Sequence, residues 1–207
     1  MTSRLPDGYF DAMYAAVPDP WALDTRWYER RKYDITTALL PFSRYRCAFE
    51  PGCSVGVLTE RLAGRCDHIV STDVSVAALD ATHRRLTAAG LRRRATLLRG
   101  SVDQPWPRGP FDLVVLSEIC YYLPPAALRE VLDREVPRLL PNATVLAAHW
   151  RHDVEDYPMN GDRANELIGA TEGLAHLGGY RDADVVIDVF DNAGATSVAA
   201  RTAIPGA

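Results

Sequence analysis

The first chemical signal comes from two residues 17 positions apart. Gly56 lies in the small-residue stretch Phe49-Glu50-Pro51-Gly52-Cys53-Ser54-Val55-Gly56-Val57-Leu58, and Asp73 ends the apolar run Ile69-Val70-Ser71-Thr72. Gly52 and Gly56 let the backbone turn sharply and let a ligand come within van der Waals contact. By itself the turn reads equally well as a plain strand-to-helix connection. An aspartate at the tip of the next strand changes the balance, because it can accept hydrogen bonds from both hydroxyls of a ribose held over the turn. The pair points to a nucleoside ligand.

A dinucleotide would require Gly-x-Gly-x-x-Gly, so that its pyrophosphate sits on exposed amides at a helix N-terminus. Here Ser54 takes the middle position, no third glycine follows Gly56, and Glu50 precedes the turn. A carboxylate repels a pyrophosphate but attracts the ammonium of a methionine moiety. The charge pattern therefore favours S-adenosylmethionine over NAD. A Tyr/Lys oxidoreductase is also excluded, because Lys32 is the only lysine in the chain. A non-catalytic nucleoside-binding module remains the alternative outside catalysis.

These residues need strands and helices to place them, and the pattern supplies both. Strands are expected at Cys47 to Glu50, His68 to Thr72, Ala95 to Leu98, Phe111 to Leu116 and Thr144 to His149. Helices are expected at Val57 to Gly64, Val76 to Ala89, Pro125 to Leu139 and Asp162 to Leu177. Asp184 to Val189 with Ser197 to Thr202 reads as a closing antiparallel hairpin. Strands alternating with helices predict a mostly parallel, seven-stranded α/β sheet with helices on both faces. Ahead of it, Asp24 to Leu40 reads as a helix capped by Asp24 or Thr25 and stopped by Pro41. Tyr28, Ile35, Ala38 and Leu39 form its apolar stripe, and Arg30, Arg31, Lys32 and Asp34 its polar face. The aromatics from Phe10 to Tyr28 predict an arm packed on the body, Trp27 by hydrophobic contact.

With 207 residues, 47% of them hydrophobic and 24% charged, the chain suits one domain: an arm and helix over 1–46, and a core over 47–207. A net charge of −4 argues against nucleic acid or an anionic membrane as the main partner. The arginines between Arg84 and Arg99 read as a solvated helix end. No apolar run approaches a spanning length and Met1 to Phe10 lacks signal-peptide order, so the expected location is the cytoplasm. Cys47, Cys53, Cys66 and Cys120 match no metal-ligand spacing, and no metal is expected.

Glu50-Pro51-Gly52-Cys53-Ser54-Val55-Gly56, Asp73, Arg99-Gly100-Ser101-Val102-Asp103 and Phe111-Asp112-Leu113-Val114 together resemble the motif series of class I S-adenosylmethionine-dependent methyltransferases, which have a Rossmann-like fold. More narrowly, several segments resemble the nodulation protein S family of N-methyltransferases. These are Asp19-Pro20-Trp21, Trp27 to Tyr33, Leu116 to Leu123, His149-Trp150-Arg151-His152 and Asp156-Tyr157-Pro158. The resemblance spans roughly Phe10 to Leu177.

The resemblance implies that Glu50, Gly52, Cys53, Ser54 and Gly56 line the methionine end of the cofactor and that Asp73 holds the ribose. It places Val74 on an adenine face and Ser101 with Val102 at the adenine edge. Many relatives carry an aspartate where Ser101 stands, and a hydroxyl accepts more weakly. Ser117 and Glu118 would face the reactive methyl, with Trp21 and Arg31 covering the cofactor as part of an N-terminal helical lid.

Methyl transfer is an in-line displacement that asks mainly for alignment and exclusion of water. An amine acceptor needs only a group to take its proton, whereas a hydroxyl demands a stronger base or a metal. The expectation is N-methylation of a small molecule, an amino sugar by the resemblance, with O-methylation as the alternative. Glu118 ends a buried strand and is the leading group to bind an ammonium and take its proton. His149 ends the fifth strand, where either a base or a hydrogen-bonded structural histidine would stand. Of Tyr121 and Tyr122, one should be core and the other, taken as Tyr122, should face the cleft. Oligomeric state is not encoded legibly.

Overall fold

The computed structural model describes residues 5–192, 194 and 196–205. Short apolar runs form the strands β1 (Tyr45–Pro51), β2 (Cys66–Asp73), β3 (Ala95–Arg99), β4 (Leu113–Ser117), β5 (Thr144–Trp150), β6 (Ala175–Arg181) and β7 (Val185–Asp191). Helices α3 (Val57–Arg65), α4 (Val76–Ala88), α5 (Pro125–Glu135) and α6 (Gly161–Gly169) connect or flank them. The strands form one sheet in the order β3-β2-β1-β4-β5-β7-β6. The first five pair in parallel, and β7 runs antiparallel to both its neighbours. This is the expected Rossmann-like sheet, mixed at its last edge. Chain order reverses between β1 and β4, so a crevice opens beyond their carboxyl ends.

Strand alternation divides the core between the two faces of the sheet. Leu113 and Val115 join Leu62, Leu86 and Leu146 on one side; Val114 and Leu116 join Phe49, Leu128 and Ile168 on the other. The central β4 is buried on both faces, as parallel strands are, which is why its sequence is continuously apolar. Among the described residues no helix is long and apolar enough to cross a membrane.

Three expectations are corrected. The helix expected to reach Leu177 stops at Gly169, and Ala175–Arg181 is instead strand β6. Gly173, at φ 85, ends the turn between them. Gly178 and Gly179 favour no helix, and Gly179 sits so close to the Ile187 carbonyl that a Cβ would not fit. The closing hairpin is therefore β6–β7. Ser197 to Thr202 is no strand, because Val198–Arg201 forms a short helix, α7, whose N-terminus is capped by the Ser197 hydroxyl accepting from the Ala200 N–H. The helix expected to reach Leu139 ends at Glu135, because Pro137 cannot continue it, and Val136–Arg138 forms a tighter 3-10 turn.

The arm contains two helices, α1 (Asp7–Ala16), packed on α4, and α2 (Trp27–Ala38), packed on α3. Neither Asp24 nor Thr25 caps α2; Arg26 stands at that position and its side chain makes no cap bond. The buried face of α2 is Glu29, Lys32, Tyr33 and Thr36 rather than the stripe through Tyr28, Ile35, Ala38 and Leu39. Lys32, expected on the polar face, is 2% exposed. Trp27, expected to pack, is 68% exposed.

Candidate active site

A cavity of about 360 Å³ lies beyond the carboxyl ends of β1, β2 and β4, with α1 and α2 over it. At one end, β1 leads into a turn with three residues at positive φ: Gly52 at 73°, Ser54 at 51° and Gly56 at 79°. The N–H groups of Gly52 and Cys53 donate to the Thr72 carbonyl, which ties this turn to the end of β2. Asp73 closes the arrangement. Its two carboxylate oxygens accept from the Ser54 and Ser75 N–H groups, each at 2.9 Å. Burial raises its pKa to about 6 against the lowering effect of those N–H donors. Glu50 is buried beside it, its Oε2 accepting from the hydroxyls of Thr59 at 2.7 Å and Ser71 at 3.0 Å. Burial pushes Glu50 up to about 7.

From the arm, the Tyr14 hydroxyl donates to Ser54 Oγ at 2.6 Å, and Trp21 packs edge-on against Tyr14. Trp21, Glu50, Gly52, Cys53, Ser54, Asp73, Val74, Ser101, Val102 and Ser117 all line the cavity. Two expected cofactor residues do not. Gly56 starts α3, and a Cβ there would lie 2.7 Å from Thr82 side-chain atoms, so the glycine serves helix packing. Arg31 turns away to donate to Asp182 and Tyr180, tying α2 to the β6–β7 turn.

The other end is built around Glu118. Its left-handed backbone, φ 53, turns the chain off β4 and brings its side chain under α2. Glu118 Oε1 accepts from Lys32 Nζ at 2.6 Å, and Oε2 accepts from the Tyr121 hydroxyl and the Trp150 N–H, each at 2.8 Å. Glu29 Oε2 also lies 2.8 Å from Lys32 Nζ, as an ion pair one helical turn away. Burial works against the charged form of Glu118, but the adjacent ammonium outweighs it and holds the carboxyl below its usual range. Burial likewise opposes the Lys32 ammonium, and the two carboxylates keep it protonated, above the usual lysine range. With three donors already in place, Glu118 anchors Lys32 and the Tyr121 turn instead of standing free to take a proton.

His149 does not reach the cavity. It is fully buried, its Nε2 accepting from the Cys120 N–H at 3.2 Å. That fixes the proton on Nδ1, 2.7 Å from Asn165 Oδ1, and burial lowers its pKa. It holds the Cys120–Tyr122 turn in place and is the structural histidine, not a base. Tyr121 and Tyr122 both line the cavity, and so the expected division into core and cleft does not hold. Tyr121 is spent on Glu118, and the Tyr122 hydroxyl lies 3.4 Å from that of Tyr157.

Sequence reasoning missed Glu29, Lys32, Tyr14 and Tyr157. One signal was available: a single lysine among 23 basic residues, three positions after a glutamate.

The donor set fits an S-adenosyl ligand. Five carboxylates line the cavity, Asp7, Glu29, Glu50, Asp73 and Glu118, against two cations, Lys32 and Arg26, an excess of acidic groups that suits a sulfonium with an amino-acid tail. Gly52 lets the main chain approach closely, since a Cβ there would lie 2.7 Å from Ile119 Cδ1.

The family model for nodulation protein S (NodS) matches residues 12–156, more than two thirds of the chain. The nodulation protein S of Bradyrhizobium diazoefficiens is 29% identical over 144 residues, covering 67% of this chain and 66% of that protein. That of Rhizobium tropici is 33% identical over 112 residues, covering 52% of this chain and 44% of its own length. The chain thus spans two thirds or less of these curated relatives. Among solved structures, a provisional methyltransferase from Pseudomonas syringae is 36% identical with a TM-score of 0.69, covering 80% of this chain and 99% of that one. N-methyltransferase NodS from Bradyrhizobium japonicum WM9, in complex with S-adenosyl-L-homocysteine, has a TM-score of 0.74 at 24% identity, covering 90% and 98%. The fold is therefore that of class I methyltransferases, and the chain belongs to the nodulation protein S family.

Proposed function

We propose that this chain is an S-adenosylmethionine-dependent methyltransferase whose acceptor is an amine of a small molecule. The observation that carries the reading is the two-ended cavity: Asp73 and the Gly52–Ser54 turn at one end, the Glu118–Lys32–Glu29 cluster at the other. When bound, S-adenosylmethionine supplies an electrophilic methyl group on a sulfonium sulfur. Asp73 accepts from the ribose hydroxyls, Val74 and Val102 pack the adenine, and the Ser101 hydroxyl bonds its edge. Glu50, Gly52, Cys53 and Ser54 line the methionine end, and Ser117 stands between the two ends. Tyr14 and Trp21 exclude water from above. The arm over 1–46 acts in this way as the cover of the 47–207 core within one domain.

The acceptor end favours nitrogen. Its net negative charge stabilises an incoming ammonium, and a carboxylate held below its usual range, as Glu118 is, makes a poor base for a hydroxyl. An amino sugar is the acceptor class suggested by the family resemblance; an acceptor held as an ammonium would give one proton to water before its nitrogen lone pair could take the methyl, so one proton is released for each methyl transferred. Calorimetric titration with S-adenosylhomocysteine tests the reading. Micromolar or tighter binding is expected, with no comparable affinity for NAD; a folded protein that binds neither would return the glycine turn to a structural role.

A further inference from the structure

Helix α1 lays one stripe of side chains over the cavity: Asp7, Phe10 and Tyr14, spaced i, i+3 and i+7, all line it. The later end of the stripe is fixed at the glycine turn, where the Tyr14 hydroxyl donates to Ser54 Oγ. One turn earlier, Phe10 packs edge-on against Tyr122, with ring centres 5.0 Å apart. Beside it Asp11 lies 3.9 Å from Arg99, whose Nε donates to the Val74 carbonyl. Leu5, just ahead of the helix, lines the cavity and packs on the cluster that contains Val102, Tyr122 and Leu123. Asp7 stands between Leu5 and these contacts, so it meets the cavity at the end lined by Val74, Ser101 and Val102. Of the five lining carboxylates, Glu29 and Glu118 share Lys32, Glu50 lies beside the glycine turn, and Asp73 serves the ribose. Asp7 is the fifth, and the roles above leave it unassigned.

We infer that Asp7 reads the base: its carboxylate accepts from the exocyclic amino group of adenine and makes the cavity select a 6-aminopurine over a 6-oxopurine. The inference rests on the methyltransferase reading above and names the group that recognises the base of its cofactor. Adenine presents an amino donor at the position where a 6-oxopurine presents a carbonyl oxygen. A hydroxyl such as that of Ser101 both donates and accepts, so it suits either base and cannot choose between them. A carboxylate only accepts. It bonds the amino group and is repelled by the carbonyl oxygen. The Ser101 N–H, a donor that would favour the 6-oxo form, is already given to Gln104 Oε1 at 3.3 Å, and the Ser101 carbonyl accepts from the Gln104 N–H at 3.2 Å. Asp7 has an interaction of its own, and a carboxylate with about four lone-pair sites keeps that partner while it takes an amino group.

Calorimetry with two ligands tests it: S-adenosylhomocysteine and S-inosylhomocysteine, which differ in the 6-amino group of one and the 6-oxo group of the other. The parent protein should bind the adenosyl form about tenfold or more tighter, as a hydrogen bond to a charged group implies. Asp7→Asn, whose carboxamide donates as well as accepts, should cut that preference to below about threefold, chiefly by tighter binding of the inosyl form. Ser101→Ala should keep it within about twofold of the parent, because a hydroxyl does not discriminate. An aspartate that only supports α1 would weaken both ligands in parallel when replaced and leave their ratio unchanged, so the ratio separates the two roles. Should Asp7→Asn bind neither ligand, the parent ratio and Ser101→Ala decide. Equal affinities in the parent, an undiminished ratio in Asp7→Asn, or a ratio lost in Ser101→Ala would overturn the inference and leave the methyltransferase reading standing. Failure of S-adenosylhomocysteine itself to bind the parent would take both down.

Discussion

Replacing Lys32 with methionine removes a charge from a place where the arm and the core meet through buried ions. The lysine side chain is 3% exposed and lies 2.6 Å from Glu118 and 2.8 Å from Glu29. Methionine fills a similar volume, so the main effect is electrostatic: two carboxylates lose their shared counter-ion. Breaking a buried pair from one side costs about 3–5 kcal/mol, which for a domain of this size is a fall in Tm of roughly 6–20 °C. The sign of the pH dependence follows from linkage. In the parent, Glu118 has a folded pKa below its unfolded value, so its stabilising share is present at neutral pH and is lost as pH falls through that folded pKa. In Lys32→Met, burial and mutual repulsion raise both carboxylates. Their cost is then full above the raised values and disappears as pH falls through them. The stability gap between parent and variant should therefore narrow steadily from about pH 8 to about pH 5. Urea unfolding followed by tryptophan fluorescence across that range measures it. A gap smaller than about 1 kcal/mol at neutral pH, the level of an exposed pair, or one that does not change with pH, would refute the reasoning.

Asp73→Ala should weaken S-adenosylhomocysteine binding by about 1–3 kcal/mol through loss of the ribose acceptor. In the parent, that affinity should fall as pH drops through about 6, where Asp73 takes up a proton; calorimetric titrations at several pH values check both. Glu50, raised to about 7 from an ordinary 4.5, keeps its proton in the folded protein where the unfolded chain has lost it, so the stability of Glu50→Gln relative to the parent should rise as pH increases from about 4.5 to about 7 and level off above that, read by denaturant unfolding. His149→Leu strands the Cys120 N–H and the Asn165 side chain, costing about 1–3 kcal/mol. This deficit should shrink below about pH 6.5, because the parent must then keep neutral an imidazole that its unfolded chain would protonate. A deficit that grows on acidification would contradict the neutral assignment. Gly56→Ala combines a left-handed φ of 79° with a 2.7 Å approach to Thr82, so thermal unfolding should show a clear loss of stability.

Where the signal is local, the sequence was legible. The glycine turn, Asp73, the apolar strands and the alternation with helices are readable because turn chemistry and side-chain period act within a few residues. The failures share a different character. The run from Asp162 to Leu177 carries enough helical pattern to hide a strand, because β6 exists only through its pairing with β7. Arg31 and Lys32 are neighbours on one helix with the same charge, yet one bonds the β6–β7 turn and the other is buried under the cavity roof. His149 looked as suitable for a base as for a core residue until Cys120 and Asn165 were seen to occupy both ring nitrogens.

By itself, then, the sequence determined the sheet class, the place of the nucleoside turn and the acidic residue that faces it, since these depend on near neighbours in the chain. The tertiary structure alone decided which charges are buried together. Lys32 meets Glu118 across 86 positions of sequence, and an ion pair's worth depends on distance and desolvation that no spacing along the chain specifies.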